Sequence, residues 1–292
     1  GNLDLILRLI DRNSYLCRLI MQRVILILLF VGAGLFGCSP FEQLKKNGTP
    51  EEKYAKAMEY YTKKEYIKAQ QLFEDLASSV NFGTERGEMV LYYQAMTNYQ
   101  LNDFILSAYQ FRSFYRRYPL SERAEECAYM SAYFHYLESP PHTLDQTDTR
   151  DAITEFTFFI KQFPKSPRVA ECTKLVDKLY EKLELKSYEI AKQYYRISDY
   201  KAAMASCENL MREFPETKHR EELTYLIARC NYLLSLSSIP AKAEERALKA
   251  NESCKKFLVA FKDSKYENDV KSLQRDAERL LERLAREKKA NQ

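Results

Sequence analysis

The sequence has no tryptophan, only seven glycines and only three histidines among its 292 residues. After Cys38 the glycines are Gly48, Gly83 and Gly87, which excludes the glycine-rich phosphate loops and dinucleotide-binding fingerprints. No Cys-x-x-Cys pair is present, so a structural zinc site lacks its usual ligands. The 45 basic residues nearly balance the 41 acidic ones, which gives neither a basic face for nucleic acid nor an obvious polybasic patch for acidic lipids. We therefore expect no metal, no cofactor and no nucleic-acid partner.

The histidines give no recognisable catalytic arrangement. They are His135, His142 and His219, and none of them forms a Ser/His/Asp or Cys/His pattern that can be picked out. His142 lies near Asp145 and Asp148, but one histidine on a loop is a weak metal signal. Short polar side chains in such a loop more often bond backbone amides in turns and at helix starts. The sequence predicts a protein that is not an enzyme and that acts through its surface.

The most apolar stretch lies near the N-terminus, at residues 24–36. Arg23 precedes it and Gly37 and Cys38 follow it, which is the pattern of a secretory signal. A helix of that length spans about 20 Å, short of the roughly 30 Å hydrocarbon core of a bilayer. The end of the stretch resembles a bacterial lipobox, in which Cys38 is acylated and becomes the first mature residue. An ordinary cleaved signal and a buried cysteine at the end of a core helix are the alternatives.

These features divide the N-terminal part into three segments. Residues 1–20 are interpreted as a doubtful upstream segment, because Met21 is the natural start. Residues 21–37 are predicted to be a lipoprotein signal peptide, and residues 38–50 a lipidated tether. About eight residues of that tether are expected to link the lipid to the first helix.

An internal repeat organises the rest of the chain. A small residue is followed seven positions later by an apolar residue and, in three cases, five positions after that by proline. The sets are Ser107-Phe114-Pro119, Ala152-Phe159-Pro164 and Ala203-Leu210-Pro215, with Ala69-Leu76 and Ala250-Phe257 lacking the proline. A small residue lets two helices approach closely, and residues four and seven further on share one helix face. Proline disfavours helix at the residue before it. Each repeat is therefore predicted to be a helical hairpin followed by a turn.

The repeat predicts an all-α fold, a solenoid of helical hairpins like those of the tetratricopeptide repeat. We expect five hairpins and a capping helix within a solenoid of residues 51–289; the repeats are about 51–83, 86–119, 121–164, 167–215 and 218–264, and the cap is 266–289. The cap carries an apolar stripe and a charged outer face, as the end of a solenoid requires. A generic helical bundle with accidental periodicity is the alternative.

The turns and loops of this array carry further expectations. Ser121, Ser166 and Thr217 stand two residues after the three turn prolines, where they are predicted to cap the next helix. Two loops interrupt the pattern, at residues 139–149 and 235–240. Extra loops in solenoids often lie on one face and mark contacts.

The cysteines of the mature chain hold equivalent repeat positions. Cys127 and Cys172 share one position, and Cys207 and Cys254 share another at which other repeats place phenylalanine. Cys230 also falls in a helical segment. These are predicted to be buried free thiols that behave as small apolar residues, with one disulfide somewhere in the chain as the alternative.

Tyrosine is abundant, at 22 residues, and it supplies the candidate binding surface. Neighbouring residues in a helix differ by about 100°, so the two members of a tyrosine pair cannot both face inward. Exposed tyrosine offers rigid apolar area and a hydroxyl, which suits interfaces. The residues predicted to line a peptide groove, with simple packing as the alternative, are Tyr54, Tyr60, Tyr61, Tyr92 and Tyr93.

Together, these features resemble the BamD family of outer-membrane protein assembly factor lipoproteins. The loop Asp145-Gln146-Thr147-Asp148, continued by Thr149 before the repeat residue Ala152, is similar to a stretch of that family. So are residues 54–57 (Tyr-Ala-Lys-Ala), the Phe-Pro-x-Ser turn at 163–166 and the Tyr194-Tyr195 pair after Ala191. The resemblance covers roughly residues 38–265.

The resemblance implies a lipid-anchored scaffold on the periplasmic side of the outer membrane of a Gram-negative bacterium. It implies that the C-terminal half binds the periplasmic domains of a BamA-like barrel insertase and other subunits, with Tyr194, Tyr195 and Arg196 as candidate contacts. It also implies that the N-terminal repeats receive the C-terminal signal of unfolded β-barrel proteins. Another periplasmic repeat adaptor, linked to the cell wall or to secretion, is the main alternative. A glycan-binding lipoprotein is a remote one, because such proteins use tryptophan.

Overall fold

The computed structural model describes residues 40–79, 81 and 83–290, and every regular element in that part of the chain is an α-helix. The helices are α1 (Pro40–Asn47), α2 (Pro50–Thr62), α3 (Tyr66–Ser79), α4 (Glu85–Gln100), α5 (Phe104–Arg117), α6 (Ala124–Glu138), α7 (Thr147–Gln162), α8 (Val169–Arg196), α9 (Tyr200–Glu213), α10 (Arg220–Leu236), α11 (Pro240–Ala260) and α12 (Glu267–Ala290). Contacts divide the chain into a first unit, residues 1–103, and a second unit, residues 104–292. Within each unit, consecutive helices pack against each other.

The repeat positions form the core of both units. The small residue of every repeat is fully buried, as are the residues four and seven positions after it, because all three lie on the helix face that meets the neighbouring helices. The buried sets are Ala69, Phe73 and Leu76; Ser107, Phe111 and Phe114; Ala152, Phe156 and Phe159; Ala203, Cys207 and Leu210; and Ala250, Cys254 and Phe257. The predicted all-α class with tetratricopeptide-like hairpins is confirmed.

The turns inside the hairpins share one backbone conformation. Lys64, Asn102 and Ser198 have φ of 62°, 60° and 63°, the left-handed region that lets a helix end abruptly. The residue that follows each of them donates its amide to a carbonyl in the last turn of the preceding helix, as Asp199 does to Tyr194 at 3.0 Å. The chain therefore reverses at the Lys64 and Ser198 turns, so α2 lies beside α3 in the first unit and α8 lies beside α9 in the second.

The turns between hairpins correct one prediction. Ser121, Ser166 and Thr217 do not cap the first turn of the following helix; each hydroxyl accepts the amide two residues on, at 3.0, 3.2 and 3.1 Å. The N-cap residues are Arg123, Arg168 and His219, and their side chains make no capping bond. Ser264 makes the same bond to Tyr266 without a preceding proline. The hydroxyl stabilises the connecting turn rather than the helix end.

The five cysteines of the described part are buried free thiols, as their repeat positions predict: Cys127, Cys172, Cys207, Cys230 and Cys254. Burial raises the pKa of the Cys207 and Cys230 thiols to about 12. They are therefore protonated at neutral pH and behave as small apolar side chains.

The N-terminal segment differs from expectation where the structure describes it. The first helix begins at Pro40, not near residue 51, so α1 occupies most of the predicted tether. The sequence carries the reason, because Phe41 and Leu44 stand three residues apart and give an eight-residue helix one apolar side. The predicted segments 1–20 and 21–37, together with Cys38, lie outside the described residues.

Candidate peptide-binding and partner surfaces

Tyrosines of α2 and α4 pack around one buried phenylalanine in the first unit. The ring of Phe73 is fully buried, and its centroid lies 6.0 Å from that of Tyr93 and 6.4 Å from that of Tyr54. Tyr61 meets Tyr93 edge to face at 5.2 Å, and Tyr92 lies 5.4 Å from Tyr93. Aromatic rings prefer such offset and edge-to-face contacts. Four of the five tyrosines predicted for a groove thus form one half-buried layer, which we call the tyrosine surface.

Tyr60, the fifth predicted groove residue, lies against a different element. Its ring centroid is 5.8 Å from that of Phe41 in α1, and the ammonium groups of Lys56 and Lys68 lie 5.3 and 5.0 Å from it. Successive residues of a helix project about 100° apart, so Tyr60 meets α1 while Tyr61 meets α4. The structure therefore does not bring Tyr60 into the tyrosine surface.

The tyrosine surface is apolar in its centre and charged at its edge. Burial raises the pKa of the Tyr61 hydroxyl, which is therefore neutral at physiological pH. The guanidinium of Arg86 lies 5.1 Å from the ring centroid of Tyr54, where it makes a cation–π contact. Half-buried rings that carry hydroxyl groups can bind both the side chains and the backbone of an extended peptide.

The loop at residues 139–149 is held together by its own side chains. Gln146 is buried, and its amide nitrogen donates to the carbonyl oxygens of Pro141 and Leu144 at 2.9 and 3.0 Å. The Thr149 hydroxyl donates to the Gln146 side-chain oxygen at 2.8 Å and lies 2.5 Å from the Ser139 hydroxyl. Gln146 of the predicted family-like loop therefore fixes the loop fold and does not face a partner.

Two lysines of α8 bind this loop from outside. The Lys182 ammonium donates to the carbonyl and the hydroxyl of Ser139 at 3.2 and 2.7 Å. The Lys186 ammonium donates to the carbonyls of His142 and Leu144 at 3.1 and 2.7 Å. Lys182 is half-buried, and this burial lowers the pKa of its ammonium group. The loop is consequently fixed to α8.

The acidic residues of the loop have local roles. The Asp145 carboxylate accepts the amide of Thr147 at 2.9 Å, the kind of turn bond expected at a helix start, and bonds with Thr147 lower the pKa of Asp145. Thr147 is the first residue of α7. Asp148 faces His135, with a carboxylate oxygen 3.8 Å from Nδ1. Both carboxylates are nonetheless accessible to solvent, since Asp145 is exposed and the Asp148 side chain is 41% exposed.

His135, Asp148 and Asp151 bring three possible ligand atoms within 4.8 Å of one another. The Arg112 guanidinium, however, lies 2.9 Å from Nε2 of His135, and a guanidinium can only donate. Nε2 is therefore the acceptor, so the ring proton of neutral His135 is on Nδ1, facing Asp148. This geometry, with a positive charge alongside, favours a charge network over a metal centre.

A buried glutamate, which the sequence analysis missed, lies at the centre of the same network. Glu155 of α7 is 3% exposed, and its carboxylate lies 2.9 Å from Nε of Arg112. The Tyr115 hydroxyl donates to Glu155 at 2.6 Å, and burial together with this bond raises the pKa of Tyr115. The sequence carried a signal for this burial, because Glu155 stands three residues after the repeat residue Ala152 and therefore shares its helix face.

The C-terminal end of α8 exposes an apolar face in the second unit. Tyr194 and Ile197 are 36% and 64% exposed and line a cavity of about 210 Å³ with Ile190. Arg196 lines an adjacent cavity of about 310 Å³ that reaches His142 of the loop. Side chains at positions 190, 194 and 197 share one helix face. We call this area the α8 surface.

Tyr195 lies on the other side of α8. Its ring centroid is 6.3 Å from that of Tyr200, and the residue packs against the buried cluster of the second unit. Of the three predicted partner contacts, Tyr194 and Arg196 therefore belong to the α8 surface and Tyr195 belongs to the packing beneath it. Arg196 also pairs with Glu189 at 3.3 Å.

A further groove runs between α9 and α11, above α10. Its volume is about 600 Å³, and its lining includes Met204, Met211 and Ile227, with Lys201 and Lys256 among the charged residues. Methionine adapts its shape to different partners. This groove was not predictable from the sequence, because its shape depends on how three consecutive helices pack against one another.

Among the described helices, none combines the length and the apolar character needed to cross a bilayer. The chain matches YfiO, the outer membrane lipoprotein family, over residues 46–245. A protein of Aquifex aeolicus (strain VF5), which carries the provisional name outer membrane protein assembly factor BamD, is 26% identical over 265 residues, 89% of this chain and 85% of that protein. The outer membrane protein assembly factor BamD of Vibrio cholerae serotype O1 (strain ATCC 39315 / El Tor Inaba N16961) is 24% identical over 196 residues, 63% of this chain and 80% of that protein. Two thirds of the chain lie within the family match, and the chain belongs to the outer membrane lipoprotein family YfiO.

Proposed function

We propose that this protein is a non-enzymatic, lipid-anchored scaffold of the machinery that assembles β-barrel proteins into the outer membrane. Two relatives named as assembly factors, one of them over most of both chains, support this role. In this proposal Cys38 carries the lipid, the chain lies on the periplasmic side, and no cofactor takes part. We also propose that the solenoid covers residues 51–289, with the repeat bounds predicted from the sequence.

The tyrosine surface is the proposed site for the C-terminal signal of unfolded β-barrel substrates. The observation that carries this assignment is the layer of Tyr54, Tyr61, Tyr92 and Tyr93 over Phe73, which offers rigid aromatic area with hydroxyl groups. An extended peptide needs contact area for alternate side chains and partners for its backbone, and this layer can supply both.

The α8 surface is the proposed site for the periplasmic domains of a BamA-like barrel insertase. Exposed Ile190, Tyr194 and Ile197 supply apolar area, and Arg196 and Glu189 supply a charged rim. This division into an apolar centre and a polar rim is typical of protein interfaces. Lys186 fixes the family-like loop beside it, so the surface has a defined shape before a partner arrives.

Affinity purification of the full-length lipoprotein from detergent-solubilised membranes tests this proposal. We expect a β-barrel insertase to co-purify, and we expect the charge substitutions Ile190→Glu and Ile197→Glu to remove it. Tyr180→Glu is the matched control, because Tyr180 is 47% exposed on the same helix but outside the α8 surface. Purification of the unchanged protein without any insertase would contradict the proposal, and depletion that leaves barrel proteins correctly inserted would favour a cell-wall or secretion adaptor.

A further inference from the structure

The first helix is fixed to the first hairpin by apolar contacts. Phe41 and Leu44 are half-buried and pack against the core cluster that contains Leu72 and Phe73. The turn after α1 is equally tight, because the Gly48 amide donates to the Leu44 carbonyl at 2.8 Å. A Cβ at Gly48 would lie 2.5 Å from that oxygen, so only glycine fits there. α1 is therefore a packed element and not a flexible linker.

The proposed lipid site stands directly before this helix. Only Ser39 separates Cys38 from Pro40, the first residue of α1. Two residues of chain reach at most about 7 Å. An acyl chain on Cys38 would therefore hold the Phe41 end of α1, and with it the first hairpin, next to the bilayer surface.

Four lysines gather at the same end of the hairpin. Lys56 and Lys68 lie over the ring of Tyr60, which itself packs on Phe41, and Lys63 and Lys64 lie at the turn after α2. The overall charge balance of the chain concealed this group, because its members come from two helices and the turn between them. We call Lys56, Lys63, Lys64, Lys68, Tyr60 and Phe41 the anchor patch.

The anchor patch is positive at physiological pH. Glu59 pairs with Lys56 at 2.8 Å and with Lys63 at 2.7 Å, and Glu65 pairs with Lys68 at 2.6 Å. Hydrogen bonds to these glutamates raise the pKa of Lys63 and Lys68, so both lysines keep their charge. Lys64 is exposed, at a left-handed turn position. With the nearby Glu42 included, four lysines face three glutamates.

The opposite end of the hairpin carries acidic and basic side chains in nearly equal number. Glu51 and Glu52 stand in the first turn of α2, and Glu74 and Asp75 stand near the end of α3. Lys53 neutralises Asp75 across a 2.6 Å ion pair. Lys45 and Lys46 stand in the last turn of α1 at this end, so three lysines face four carboxylates there and, unlike the anchor patch, it has no excess of positive charge.

We propose that the anchor patch rests on the anionic phospholipid headgroups of the membrane and so sets the orientation of the first hairpin. This inference rests on the proposed acylation of Cys38. Basic residues near an anionic surface gain electrostatic attraction that fades within a Debye length, about 8 Å at physiological ionic strength. Tyrosine is favoured at headgroup level, where its ring and hydroxyl meet different environments. In this proposal the lipid attaches the protein to the membrane, and α1 and the lysines set the orientation of the first hairpin.

Amine labelling of the mature lipoprotein in vesicles tests the proposal. The mass of the N-terminal peptide is measured first, so that a missing acyl group is detected independently. The acylated protein is then reconstituted into vesicles of phosphatidylcholine alone or of phosphatidylcholine with phosphatidylglycerol. We expect labelling of Lys64 and Lys68 to fall by about fivefold in the anionic vesicles. Lys271 and Lys288 of α12 are internal controls and should label equally in both.

Two variants distinguish binding through the anchor patch from nonspecific adsorption of the protein to the vesicles. Phe41→Ala should release α1 and restore the labelling of Lys64 while the acyl group stays in the membrane. A large drop in the thermal unfolding midpoint of Phe41→Ala would reveal a general folding defect. Lys64→Glu with Lys68→Glu keeps the packing and should abolish the protection of Lys63 as well, whereas the same charge change at Lys288 and Lys289 should not. Equal labelling of the patch lysines in both vesicle types would overturn the inference and leave the scaffold proposal untouched.

Discussion

Two tyrosine pairs, one in each unit, are used in different ways. In the first unit Tyr60 packs on α1 and Tyr61 joins the tyrosine surface, so both members are half-buried against aromatic neighbours. In the second unit Tyr195 packs into the core and Tyr194 is exposed beside Ile197. The same dipeptide at the end of the first helix of a hairpin therefore gives an aromatic layer in one unit and an aliphatic face in the other.

The comparison indicates that the neighbouring elements decide what a tyrosine pair does. α1 covers Tyr60, whereas Tyr194 stays exposed at the end of α8, a helix of 28 residues that also holds the loop through Lys182 and Lys186. The tyrosine surface is stabilised by ring contacts, whereas the loop beside the α8 surface is fixed by hydrogen bonds from Lys182 and Lys186.

The largest effect should come from removing the ring beneath the tyrosine surface. Phe73→Ala creates a cavity at a fully buried site and takes away the partner of Tyr54 and Tyr93. We expect a loss of about 4 kcal/mol in the free energy of unfolding, measured by urea denaturation. Tyr109→Ala is the control, because Tyr109 is 66% exposed and should change the same quantity by less than about 0.5 kcal/mol. Similar losses in both variants would mean that Phe73 does not support the tyrosine surface by packing beneath it.

The second unit contains a buried ion pair, and breaking it should have the second-largest effect on stability. Glu155→Gln leaves the guanidinium of Arg112 without its buried partner, and we expect a loss of about 3 kcal/mol in the free energy of unfolding. The double variant Arg112→Gln, Glu155→Gln should recover part of the loss, since no unpaired charge remains. Strictly additive losses in this double-mutant cycle would show that the two groups do not interact.

The loop beside the α8 surface should depend on one lysine. Lys182→Met removes two hydrogen bonds to Ser139, and we expect a loss of about 1 kcal/mol with faster amide hydrogen exchange at residues 142–146. Lys178→Met lies one turn earlier on the same helix at an exposed position and should change neither quantity. Unchanged exchange in Lys182→Met would mean that Gln146 and Lys186 fix the loop without Lys182.

The smallest effect concerns a feature that both units share. Ser198 has φ of 63°, which costs energy for any residue with a Cβ, so Ser198→Gly should raise the free energy of unfolding by about 0.5 kcal/mol. Asn102→Gly in the first unit should gain less, because asparagine tolerates this conformation. A loss of stability in Ser198→Gly would argue against strain at this turn.

The fold was predictable from the sequence because its repeat positions are local. Ala69, Ser107, Ala152 and Ala203 set a helix face that needs no knowledge of distant residues, and all four are fully buried. The same register predicted buried thiols at Cys207 and Cys254. The missed helix α1 is shorter than the range over which periodicity is reliable, although Phe41 and Leu44 carried the signal.

The candidate surfaces were only partly predictable, because they depend on which helix covers each side chain. The sequence identifies Tyr60 and Tyr61 as residues on different faces, but only the structure assigns one to α1 and the other to α4. The lysines of the anchor patch are cancelled in any composition count by Glu51, Glu52 and Glu74 at the other end of the hairpin. The burial of Glu155 was not predicted, because acidic residues are almost never fully buried unless they are paired.

Photocrosslinking in membranes tests most directly whether the two surfaces bind different partners. A photoreactive amino acid is placed at Tyr61 or at Tyr194, with Tyr109 and Tyr180 as exposed control positions, and each captured protein is identified by mass spectrometry. We expect Tyr61 to capture unfolded β-barrel proteins and Tyr194 to capture the barrel insertase, and we expect the control positions to capture neither. Capture of the same partner at Tyr61 and Tyr194 would contradict it.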